Sequence, residues 1–162
     1  MPVLAVPGPR APAPPPVTVE VPEAWEALPP GSDLLHVRGA GSAGDPVDVR
    51  LRSHTGPGGY AAADLLDDVA SSAPAGSEVE PAFAVEIGGR EWTARNVSWD
   101  EPGGPVVEVH LAVVVDEPTG DTGATALGRL LLATGRVQGP GLDADYDALQ
   151  SVLETVVVGG GG

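Results

Sequence analysis

The chain has 162 residues, 42% of them apolar, and a formal charge of −15 at pH 7, with 23 acidic side chains against 8 arginines and no lysine. That length suits one ordinary domain, and so acidic a chain lacks the basic face that nucleic acids and anionic membranes require. Without cysteine there are no disulfides, no thiolate metal sites and no cysteine nucleophile. Alanine, glycine, valine, proline and arginine replace lysine, asparagine and isoleucine, which reads as a GC-rich bacterial coding sequence.

Residues 1–16 form a proline-rich lead. Pro7, Pro9, Pro12, Pro14, Pro15 and Pro16 fix φ and remove donors, so an extended, flexible segment is expected. Its one arginine, Arg10, follows rather than precedes the short apolar patch Val3–Val6, unlike a secretory leader, and a cytoplasmic location is the expectation. The domain proper is placed at 17–158. Val17, Val19 and Val21 alternate with Thr18 and Glu20, a strand ended by Pro22, and Trp25 falls in the turn beyond. Leu34–Arg38 is a second strand. Val47, Val49 and Leu51 alternate with Asp48, Arg50 and Arg52 in a third, polar on its outer face.

From Tyr60 to Ser71 the period becomes helical: Leu65, Leu66 and Val69 share a stripe that Asp64, Asp67 and Asp68 avoid. Ala82–Ile87 and Glu91–Trp99 read as a hairpin around Gly88-Gly89, since glycines supply the positive φ of a tight turn. Val106–Val115 and Leu127–Val137 are the most apolar strands and should lie centrally. Asp143–Val158 is predicted to be a helix buried through Tyr146, Leu149, Leu153 and Val156, and 159–162 a flexible glycine tail. The predicted class is α+β, a mostly antiparallel sheet of about six to seven strands covered by two helices.

Several local patterns invite a chemical reading. Asp143, Asp145, Asp147 and Glu154 have the spacing of the first, third, fifth and twelfth positions of a calcium loop. Ala148 stands where that loop needs glycine, so a helix start, with Asp143 as cap, is the better reading. Gly39-Ala-Gly41-Ser-Ala-Gly44 spells a dinucleotide fingerprint but precedes a strand, not the helix that would receive a pyrophosphate. Gly56–Gly59 lacks the lysine and hydroxyl of a P-loop. Glu108 and His110 share a strand face, an arrangement that orients an imidazole; His36 and His54 stand elsewhere in the chain. The terminal glycines echo sulfur carriers, whose bodies are smaller and differently ordered. No metal, cofactor or catalytic residue is assigned.

The run Val19-Glu-Val-Pro22-Glu-Ala-Trp25, then strand, helix, glycine hairpin, two long strands and a closing helix, resembles PsbP-like domains, and among them the LpqN-type proteins of actinobacteria. The resemblance spans about 17–158. It departs from the LpqN type in lacking a leader and lipobox cysteine. It implies an α/β/α sandwich and a non-enzymatic accessory, adaptor or chaperone-like role in binding another protein. Trp25, Trp92 and Trp99 with Asp64, Asp67 and Asp68 are the expected contact residues, and a partner meeting those acids should be basic. The alternative is a small-ligand or lipid pocket between sheet and helix. Trp92 and Trp99, at odd separation on one strand, should face opposite sides.

Overall fold

The computed structural model describes residues 3–6, 17–29, 33–42, 44–57, 61–116 and 127–158. Its strands are β1 (Val3–Val6), β2 (Val17–Glu20), β3 (Glu26–Ala27), β4 (Leu35–Ala40), β5 (Pro46–Pro57), β6 (Glu78–Val79), β7 (Phe83–Ile87), β8 (Arg90–Glu101), β9 (Gly104–Asp116), β10 (Leu127–Gln138) and β11 (Val157–Val158). Helix α1 (Ala62–Ala70) follows β5, and α2 (Leu142–Leu153) follows β10. Strands β3-β4-β5-β10-β9-β8-β6 form the large sheet in that order, with β7 beside β6 on the same edge of β8. A small sheet runs β1-β2-β11. Every described pairing is antiparallel.

Alternation along the strands sorts the side chains into two interiors. On one face Val37, Val49, Leu51, Val109, Leu111, Val113, Leu131, Ala133 and Trp92 meet α2 and β2, forming the main core. On the other face Ala112, Leu130 and Leu132 meet Leu65 and Leu66 of α1. Helix, sheet, then helix with a second small sheet: the three-layer arrangement expected from the sequence is present. Small residues set how closely the layers approach. Leu149 of α2 lies directly on Gly135, where a Cβ would sit 2.6 Å from Leu149 Cδ1. Ala112 does the same for α1. Leu65 and Leu66, both buried, each contribute about 1.5–3 kcal/mol through removal from water.

The hairpin turn is as expected, with Gly88 at φ 61° and Gly89 at φ 81°, values that a side chain rarely tolerates. Three expectations need correction. The strand total is larger, because β2 leaves the large sheet to nucleate a second one and two-residue strands border the first. The closing helix stops at Leu153, not Val158. The β-branched run Thr155–Val158 favours an extended chain; the Thr155 hydroxyl is 2.6 Å from Val152 O and 3.2 Å from Glu20 O, and β11 then pairs with β2. Part of the lead is paired too: Val3–Val6 run antiparallel beside Val17–Glu20, while residues 7–16 and the glycine tail lie outside the described residues.

Candidate binding groove on the open face of the large sheet

Helix α1 covers only one end of its face of the sheet. The register lines up what remains uncovered. One row reads His36, Arg50, Thr134, His110 and Arg95 across β4, β5, β10, β9 and β8. The next reads Arg38, Asp48, Arg136, Glu108 and Val97. Among the described residues Arg38, Arg50, Arg52, Arg95 and Arg136 and all three histidines, counting His54 further along β5, therefore share one face. Two clefts open along it. One of about 530 Å³ lies against α1 and is lined by Asp33, Arg52, His54, His110 and Asp68 among others. The second, about 330 Å³, shares Arg50, Glu108 and Thr134 with it and extends over Arg38, Asp48 and Arg136. Through these shared residues the two clefts run together as one groove of charged and polar side chains, with Leu65, Val69 and Leu132 along its α1 side.

Its charges are held in fixed pairs. Asp33, buried just before β4, accepts from Arg50 Nη1 at 3.1 Å and Arg52 Nε at 2.8 Å. Burial alone would raise the Asp33 carboxyl, but the hydrogen bonds and charges of Arg52 and Arg50 outweigh it and hold it below its ordinary value. Asp48 Oδ1 receives Arg38 Nε at 2.8 Å and lies 2.9 Å from His36 Nε2. There too burial pushes upward while Arg38 and His36 prevail, so Asp48 stays ionised. Arg136 donates to Gln138 Oε1 at 3.0 Å, approaches Glu101 at 3.3 Å and Glu108 at 3.7 Å, and lies 5.6 Å above the Trp99 ring. Trp99 Nε1 in turn donates to Glu101 Oε2 at 2.8 Å.

Two histidines are held with an unused ring nitrogen. His110, only 2% exposed, bonds through Nε2 to Glu108 Oε1 at 3.0 Å, and its buried Nδ1 has no partner. A carboxylate accepts, so Nε2 is the donor of this pair. His54 Nε2 is likewise buried and unpartnered; burial, then the charge of Arg52, lowers its pKa. Among the described residues no hydroxyl lies within hydrogen-bond distance of His110 Nδ1. Among the described residues no cluster of three or more His, Asp or Glu side chains has metal-site geometry. His36 and His110 are three strands apart, about 14 Å.

The sequence-predicted contact residues do not assemble. Trp92 is 1% exposed in the main core and unavailable to a partner, while Trp99 faces the open side, as their odd separation requires. Trp25 packs its indole over Gly39 at the far edge. Asp68 lines the groove, Asp67 pairs with Arg95 at 2.7 Å, and Asp64 accepts the Ala61 N–H at the start of α1. Asp143, Asp145, Asp147 and Glu154 lie along or at the end of α2 instead of curling into a loop. Asp143 sits inside the first turn, Gly141 being the cap, because Asp145 is drawn inward to accept the Ser42 N–H at 2.7 Å. The glycine run after β4 leads into β5, with no helix to hold a pyrophosphate. Reasoning from sequence missed Asp33, His36, Arg38, Asp48, Arg50, Arg52, His54 and Arg136. The alternation of 48, 50, 52 and 54 was the available signal.

No known family matches the chain, and no curated protein does. Solved structures do. LpqN, described as involved in cell envelope biogenesis of Mycobacterium tuberculosis, superposes with a TM-score of 0.69 at 16% identity, covering 97% of this chain and 91% of that one. A protein from Bacteroides thetaiotaomicron VPI-5482 gives 0.51 at 12% identity, over 88% of this chain and 44% of the other. The LpqN-type resemblance read from the sequence is thus matched by the fold. No described helix is long and apolar enough to cross a membrane.

Proposed function

We propose that this chain is a bacterial accessory domain that binds another protein through the polar groove of its large sheet, and that it performs no reaction. The observation supporting this is the groove itself: a row of ion-paired side chains on rigid central strands, left open by α1. Salt bridges already formed in the free domain cost a partner less ordering on docking, and complementary charges fix register and orientation more than affinity. The lipid alternative is less well supported, since the apolar space between α2 and the sheet amounts to about 60 Å³, and the cleft against α1 is lined by the charged side chains of Asp33, Arg50, Arg52 and Glu108. The description of LpqN as involved in cell envelope biogenesis is compatible with an accessory role in a bacterium.

A photo-crosslinking side chain placed at Thr134 or Gln138, and as a control at Ser151 on the exposed side of α2, tests the reading in a bacterial host. A single stoichiometric protein adduct from the groove positions alone is expected. Adducts only from Ser151, or none beside a small molecule released on denaturation, would overturn it.

A further inference from the structure

The described large hydrophobic side chains that remain exposed are Val79 (44%), Phe83 (47%) and Val157 (36%). They border one edge of the large sheet: Val79 and Phe83 lie on β6 and β7, and Val157 abuts the β7–β8 turn, its Cα 3.4 Å from where a Gly88 Cβ would be. β7 pairs with β8 and with no other described strand, so one side of its backbone keeps unpaired N–H and C=O groups. Its two faces differ. Phe83, Val85 and Ile87 point toward α2 and line a shallow apolar groove with Tyr146 and Leu153. Glu86 points the other way, directly opposite Glu91. Glu78, Glu80 and Glu154 are exposed around the same edge.

From this edge we infer a second docking site, independent of the groove: β7 accepts an extended segment of a partner protein as an added strand, apolar at alternate residues and lysine or arginine between them. The alternation follows from the two faces, since a strand added beside β7 sets every second side chain against Phe83 and Val85 and the others against Ala84 and Glu86, with Glu91 one strand further in. The charge excludes a second copy of this chain as occupant. Pairing β7 with itself would bring the Glu86 side chains of two molecules onto one face of the adjoining strands, and like charges across strands are destabilising. Glu80 and Pro81 guard the same edge against self-association.

The probe is an eight-residue alternating Lys–Val peptide with blocked ends, titrated against the full chain while backbone amides are followed by NMR and hydrogen exchange. The expected result is movement of the Phe83–Ile87 amides, with exchange of those on the outer edge slowed tenfold or more. Added salt weakens binding. Phe83→Asp and, separately, Glu86→Lys each weaken it at least tenfold; both residues are exposed, so the fold tolerates the changes. Equal binding of a Glu–Val peptide, equal binding of a peptide N-methylated at alternate residues, or shifts confined to Thr134 and His110 would overturn the inference. Dimerisation of the chain that Phe83→Asp abolishes would assign the edge to a second copy and overturn it as well.

Discussion

Asp33→Ala removes the acceptor that holds Arg50 and Arg52 in the groove. The carboxylate side chain is 3% exposed and takes two charge-assisted hydrogen bonds, at 2.8 and 3.1 Å. Hydrogen bonds to charged groups contribute about 1.5–3 kcal/mol each when buried. Both arginine side chains are 47% exposed, so water screens the pairs and rehydrates the released guanidinium groups. A net loss of about 2 kcal/mol follows, or roughly 4–8 °C in Tm for a chain of this length. Thermal unfolding followed by far-ultraviolet circular dichroism at pH 7 measures it. Repeating the comparison in acid adds a second constraint. Asp33 has a folded-state pKa below its ordinary 3.8. Its contribution is therefore full above that value and disappears as pH falls through the folded value. The gap between wild type and variant should close toward pH 2. A gap under about 0.5 kcal/mol at pH 7, or one that persists undiminished in acid, would refute the ion-pair reasoning.

His54 gives a dependence at higher pH. Its folded pKa lies below the ordinary 6.5, so the unfolded chain binds the proton first and stability declines as pH falls below that value; His54→Gln should flatten this part of the stability profile between pH 7 and 5. Trp92→Ala, which empties the main core, should cost about 3–5 kcal/mol in a denaturant titration. Trp99→Ala should cost about 1 kcal/mol or less, since that ring is only partly covered and stacks under Arg136. Gly135→Val forces a side chain into Leu149 and should destabilise by about 1–3 kcal/mol, with α2 amides exchanging faster.

The sheet and its helices were readable because each rests on local pattern. The alternation at 47–52, the stripe of Leu65, Leu66 and Val69, and the glycine pair at 88–89 each act over a few residues. What escaped depends on contacts between distant residues. The β-branched run Thr155–Val158 favours an extended chain, but only β2, some 140 residues earlier, makes a strand of it by supplying the partner. The groove escaped for the same reason. Asp48, Arg50 and Arg52 read as a solvated strand face because their neighbour β10, bringing Thr134 and Arg136, arrives about 80 residues later. His36, His54 and His110 look scattered in the chain and converge on one face only through that same strand order. The helix aspartates divide in the structure: Asp145 belongs to the interior, while Asp64 is exposed and accepts the Ala61 N–H at the start of α1.

Measured affinity for the crosslinked protein bears most directly on the groove as the binding surface. Isothermal titration would compare the wild-type chain with the double charge reversal Arg50→Glu/Arg136→Glu and with Asp147→Lys on the exposed side of α2. At least a tenfold loss in the groove variant, about 1.4 kcal/mol, with the α2 variant unchanged, is the predicted result. Equal affinity for all three proteins would contradict it.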